Sequence, residues 1–253
     1  MNFFFGIKTN TFSSKLNIPK FQNRNITNNN INLYQTFVDN NHWKLELVNK
    51  IPDINEFFFV NQNLANNTNI FFLATKNEII NFCKNKLINL NNFTDTDPAF
   101  RSNLQIFLKN GGFSSYQSEY PYDMINKQGD ILSSVSTLLN KNADNNYLFF
   151  KNIYFEPQNK KFKAFFLDIK SRKILDEFEL KTNYTNEIKI HKELIKPEVF
   201  FLTKNYLGIP MFVSEKKKHL SFEHTHPPHE YILSNDKFMK VSELKREINE
   251  IIG

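Results

Sequence analysis

The sequence predicts an α+β fold, predominantly antiparallel β with a meander or sandwich-like sheet, and two or three short helices including a C-terminal one. Three observations carry this. Phe occurs 28 times and aromatics make up 15% of the 253 residues, and aromatic side chains favour the pleated, half-buried surface of a sheet. Between residues 147 and 181 three strand-like runs follow one another across short polar turns. Helical periodicity with capping signals is confined to three short segments.

Taken in order, residues 3–8 suit a first short strand. Residues 13–32 run through Ser, Asn, Pro and Lys, including Asn28-Asn29-Asn30, and read as a long loop. Strands follow at 43–48, 56–60 and 69–74, the first with clear alternation from Trp43 to Val48. Thr75 and Glu78 have the spacing of a capping box, in which each satisfies a free backbone N–H at a helix start. A helix over 76–87 would then put Ile79, Phe82, Cys83 and Leu87 on one face. Residues 88–98 form a polar loop closed by Pro98. The chain is read as a single β-rich domain, 1–253, with its possible subdivision at this loop.

A strand at 103–108 is broken by Gly111-Gly112, and residues 113–124 read as a Tyr-rich loop. Residues 130–140 suit a short helix capped by Asp130, with Ile131, Leu132, Val135, Leu138 and Leu139 turned inward. Strands at 147–155, 161–169 and 173–181 are joined by Pro157-Gln158-Asn159 and Ser171-Arg172. Short connections make antiparallel neighbours, hence a meander. Phe162, Ala164 and Phe166 alternate with Lys163 and Phe165, which places one face in the core. Further strands fit 186–190, 197–203, 209–213 and 219–224, with Lys216-Lys217-Lys218 in the last turn. The closing helix, 242–252, has Ser242 as cap and Leu244, Ile248 and Ile251 on one side.

The formal net charge is +6, but the positive charge is spread and mostly Lys. Asn, Lys, Ile and Phe share AT-rich codons, so a biased genome accounts for much of it. No recognition helix, RNA-binding aromatic signature or basic stripe stands out, which weighs against a nucleic-acid partner. Cys83 is the single cysteine and cannot form an internal disulfide. The apolar run at Phe3–Phe5 is too short for a signal-peptide core, and no apolar stretch is long enough to span a bilayer. The expectation is a soluble, cytoplasmic protein without a membrane partner. No phosphate loop, nucleophile elbow or dinucleotide fingerprint is present, so neither an enzyme nor a non-enzyme is specified, and the oligomeric state stays open.

Two segments carry chemistry. Four of the six histidines fall between residues 219 and 229, in His219-Leu-Ser-Phe-Glu-His224-Thr-His226-Pro-Pro-His229-Glu230. In an extended segment His224 and His226 point to one side, and Pro227-Pro228 stiffen the turn that follows. Imidazoles with a carboxylate suit a divalent metal such as Zn, Fe, Ni or Mn. The candidate ligands are His224, His226, His229 and Glu230. An open coordination position could activate water or oxygen, making a metal-dependent enzyme. His224-x-His226 followed by Glu230 resembles the first metal-binding motif of the cupins, and the resemblance implies His224, His226 and Glu230 as ligands. It covers these residues only. The nearest preceding glycine is Gly208, and no histidine follows Glu230, so the family is not assigned. Without a metal, the same turn is a stiff corner or a proton sensor.

The second segment is 98–124. Arg101 is one of four arginines in a lysine-using chain, and its planar fork suits a carboxylate or phosphate. Tyr116, Gln117 and Tyr120 add an amide, hydroxyls and aromatic faces. Arg101, Tyr116, Gln117 and Tyr120 are therefore candidate residues for a glycan or anionic small-molecule ligand, against an internal salt bridge with tyrosines packed beneath. A structural or assembly protein presenting Phe-rich strands is the third reading.

Overall fold

The computed structural model describes residues 2–23, 26–27, 31–48, 53–54, 57–87, 101–224, 243 and 246–252. The expected α+β class is wrong: at 51% strand against 9% helix the protein is nearly all antiparallel sheet, with four small sheets in a β-propeller arrangement. The strands are β1 (Asn2–Phe5), β2 (Phe12–Pro19), β3 (Phe21–Asn23), β4 (Ile26–Thr27), β5 (Asn32–Asp39), β6 (His42–Leu47), β7 (Asp53–Ile54), β8 (Phe57–Val60), β9 (Ile70–Ala74) and β10 (Ser102–Leu108). They continue with β11 (Phe113–Ser118), β12 (Tyr120–Pro121), β13 (Ile131–Ser134), β14 (Asn145–Lys151), β15 (Lys161–Asp168), β16 (Lys173–Lys181), β17 (Thr185–Ile190), β18 (Val199–Thr203), β19 (Ile209–Lys216) and β20 (His219–His224).

Sheet I has the order β12-β1-β9-β5-β6 and sheet II the order β11-β10-β2-β8-β7. Sheet III is β13-β18-β15-β16 and sheet IV is β17-β14-β19-β20, while β3 and β4 make a separate hairpin. Sheet IV packs on both of its faces. Tyr147, Phe149, Met211 and Val213 enter one core with sheets I and II, where Phe12 meets Phe149 edge-on at 5.5 Å. Leu148, Phe150 and Phe212 enter a second core with sheet III. The outer side of sheet III buries Phe165, Leu167 and Leu202 against Ile248 of the helical residues 246–252.

The meander does not form as expected. β15 and β16 pair, but β14 pairs with β17 and β19 and lies in another sheet. The strand ends at Lys151, four residues short of the expected end, and leaves a connection long enough to change layers. Side chains pin that connection: the Trp43 indole N–H donates to the Phe155 carbonyl at 3.0 Å, and the Asn183 amide donates to the Glu156 carbonyl at 2.8 Å. From Ala164 onward both sides of β15 are buried, so the single inward face read from its alternation holds only at its start.

Two helices are also corrected. The Thr75–Glu78 capping box forms, but α1 (Lys76–Ile79) is one turn long. The chain beyond it instead offers the Lys84 carbonyl to the Trp43 N–H at 2.7 Å. Asn81 and Asn85 are poor helix formers, so tertiary pairing wins. Residues 131–134 pair with β18 as β13. The Asp130 carboxylate accepts from the Asn205 N–H at 2.8 Å and caps no helix.

Two expected loops are strands. In β2 the inward positions are Phe12, Ser14, Leu16 and Ile18, and the polar Ser14 hid the period. Its hydroxyl is satisfied inside, accepting from the Ile7 N–H at 2.7 Å and donating to the Ala65 carbonyl. Residues 113–118 are β11, hairpinned to β10 across Gly111-Gly112, whose φ values of 110° and 76° only glycine adopts readily. A Cβ on Gly112 would lie 1.9 Å from the Lys218 carbonyl oxygen, because this hairpin packs against the β19–β20 turn. The possible boundary at 88–98 lies outside the described residues.

Candidate functional site

Among the described residues, sheet II is covered on one side only. Ser102, Leu104 and Ile106 of β10 face the core, while Asn103, Gln105 and Phe107 face outward and are half-buried. The register extends these into rows across the sheet. Asn103 stands opposite Gln117 of β11 and Asn17 of β2, and Asn17 stands opposite Phe59 of β8. Gln105 stands between Ser115 and Lys15. Phe107 stands between Phe113 and Ser13, with the two rings stacked at 5.9 Å and the Lys15 ammonium 5.1 Å from the Phe107 ring.

The result is a polar field bounded by aromatic rings. Phe107 and Phe113 lie at one end, and Phe57 and Phe59, 6.5 Å apart, flank the β8 side. Phe113 is 65% exposed, a high value for a ring with a neighbour available to cover it. Among the described residues, the amides of Asn17, Asn103, Gln105 and Gln117 make no side-chain hydrogen bond. At ~4.8 Å between strands and ~3.4 Å per residue, the face measures about 14 Å each way.

The segment proposed from sequence is divided by this geometry. Gln117 is exposed on the open face. Arg101 reaches the rim and binds Glu119 at 3.1 Å, with both side chains mostly covered, so its fork is engaged by an internal carboxylate. Tyr120 is fully buried, and its hydroxyl donates towards the Ile153 and Leu207 carbonyls at 3.1 and 3.3 Å. Burial pushes its phenol pKa upward, only partly opposed by the Ile153 hydrogen bond. Tyr116 also points inward, against Phe222 at 4.5 Å and His224 at 4.3 Å between ring centroids. Its hydroxyl is buried with no partner among the described residues, and burial raises its pKa.

β11 packs beside β20, so the histidine segment begins next to the tyrosine segment. His224 ends β20 against Tyr116, and His219 starts the strand, exposed. His226, His229 and Glu230 lie outside the described residues. Among the described residues, no three His, Cys, Asp or Glu side chains gather as a metal site, and no helix is long and apolar enough to cross a membrane.

Asn17, Asn103, Gln105, Phe107 and Phe113 were not singled out from sequence. The signal was there in β10, where Asn103, Gln105 and Phe107 alternate with Leu104 and Ile106. What could not be read was which strands lie beside it. Comparison with protein-family models, with curated proteins and with solved structures finds no match.

Proposed function

We propose that this is a non-catalytic binding protein that holds a neutral, polyhydroxylated ligand, a short glycan chain, on the open face of sheet II. One observation carries the reading: four amides without internal hydrogen bonds stand in adjacent rows, flanked by stacked rings. An amide offers both donor and acceptor, as a hydroxyl does, and an aromatic face covers the apolar face of a sugar ring. Charge on the face is low: Arg101 is already neutralised by Glu119, and Lys15 adds a single positive charge beside Phe107. Each hydrogen bond contributes about 1 kcal/mol net. A few of these with one stacked ring give a Kd on the order of 0.1–1 mM.

The test is a screen of neutral oligosaccharides, followed by titration of any hit into wild type and Gln105→Ala/Gln117→Ala. Saturable binding that weakens at least about tenfold in the double variant supports the reading. A wild type that retains no glycan, or a variant that binds equally well, rejects it.

A metal at the histidine turn is a second reading, supported by the position of His224 at the exit of β20 beside Tyr116. Zn, Fe, Ni or Mn present near stoichiometry in untagged protein, and lost in His224→Ala/His226→Ala, would support it. No metal bound, even after adding each ion, would make the turn structural.

A further inference from the structure

Lys151 ends β14 in the middle of the molecule with its side chain 0% exposed. It shares its side of the strand with Tyr147 and Phe149, facing sheets I and II. Its Nζ lies over the Phe5 ring, 5.8 Å from the centroid. Nζ donates one hydrogen bond, to the Asn67 carbonyl at 3.2 Å. Among the described residues no carboxylate pairs with it. An ionised amine in such a place is costly, and a Met or Leu would fill the same space without that cost. Burial accordingly lowers its pKa to about 7, so near neutral pH much of it is a free amine with an available lone pair.

The residue that accepts the Lys151 hydrogen bond also lines a cleft. Asn67 sits in a turn held by the Asn66 side chain, which accepts from the Thr68 and Asn69 N–H groups. The Asn67 carbonyl accepts from Thr185 N–H at 3.0 Å as well as from Lys151. Its side-chain oxygen accepts from Lys8 N–H at 2.7 Å, and its amide reaches the Tyr184 hydroxyl at 3.4 Å. Asn67 also lines a polar cleft of about 550 Å³, together with Lys8, Lys181, Tyr184, Glu179 and Glu187. One residue therefore separates a buried, unpaired amine from a cleft of small-molecule size.

We propose that Lys151 captures a small aldehyde or ketone that enters this cleft, forming an imine when the Asn67 turn gives way. The Nζ lone pair attacks the carbonyl carbon, and a C–N bond forms as the carbonyl oxygen takes up a proton. The carbinolamine then loses that oxygen, with the two amine hydrogens, as water. The product is the C=N bond, and no oxidant or reductant is consumed. Lys8 and Lys181 at the cleft are matched by Glu179 and Glu187, so its lining selects for size and polarity rather than for charge. This inference is independent of the sheet II ligand, since the two places share no residue.

The test uses the intact wild-type chain. It is treated at pH 7 with glyoxylate and cyanoborohydride, which reduces an imine to a stable secondary amine, and the modified lysines are located by peptide mass spectrometry. Lys151 should be modified at least tenfold faster than the exposed Lys161 and Lys163, and the preference should vanish in urea. Modification of the exposed lysines with Lys151 unmodified, or modified no faster than they are, overturns the proposal.

Discussion

Sheets II and IV are built from similar numbers of strands, yet the inner strands of one have an open side and those of the other do not. In sheet IV, β14 is buried from Asn146 to Lys151 and β19 from Ile209 to Ser214. Their apolar side chains alternate between one core and the other, with Tyr147, Phe149, Met211 and Val213 in the first and Leu148, Phe150 and Phe212 in the second. In sheet II, β2 and β10 keep strict alternation, with one row in the core and one row open. A two-sided strand is constrained at every position by packing, so its polar residues are the exceptions to explain. A one-sided strand leaves half its positions free of packing, and those can serve a ligand. Lys151 is the exception in the first, and the amide rows are the free positions in the second.

The largest expected effect is on packing. Phe149→Ala removes a fully buried ring from between sheet IV and the core it shares with sheets I and II. It should cost about 3–5 kcal/mol in urea unfolding. Phe113→Ala on the open face should stay within about 0.5 kcal/mol. Equal losses at the two positions would mean that sheet II is covered too, and its face would not be available.

Lys151 sharpens the comparison by pH. Its pKa is lowered on folding, from 10.5 to about 7. Between those values the unfolded chain holds a proton that the folded chain has lost, so wild-type stability rises with pH across that window. Below about pH 7 both states are protonated at this site, and the burial penalty is fully present. Lys151→Met carries no such charge. It should be more stable than wild type at pH 7 by a few kcal/mol, with the gap shrinking towards pH 10. A constant gap across the range would show that the amine is not desolvated.

How much of this was legible depended on which neighbour decided each element. The hairpin partners β15 and β16 were readable because Ser171-Arg172 leaves them no other arrangement, and the Thr75–Glu78 capping box was readable because it is local. The sheet assignment of β14 was not, because its partners in β17 and β19 lie far along the chain, from Thr185 opposite Lys151 to Glu215 opposite Asn145, and nothing in its own residues names them. β2 was missed because inward Ser14 looks polar until the Ile7 N–H and Ala65 carbonyl that satisfy it are known. Among candidate site residues, Gln117 and the rim residue Arg101 lie on the open face. Tyr116 is turned the other way, a distinction that β11 alternation would have given had the segment been read as a strand, while Tyr120 lies beyond β11 in β12 of sheet I.

Those two tyrosines give the smallest effect and the finest discrimination. Tyr120 is fully buried and Tyr116 half-buried, but both hydroxyls are shielded from solvent and they differ in what they meet. The Tyr120 hydroxyl serves two carbonyls of the connections that lead out of β14 and into β19. Tyr120→Phe would leave the Ile153 and Leu207 carbonyls short of a donor and should cost about 1–2 kcal/mol. The Tyr116 hydroxyl is desolvated without a described partner, so Tyr116→Phe removes a polar atom that gains nothing there and should be neutral or slightly stabilising. Denaturant midpoints of the two variants decide it. A Tyr116→Phe loss as large as that of Tyr120→Phe would show that the Tyr116 hydroxyl has a partner after all, and the histidine segment that begins beside it at His224 would be the first place to look.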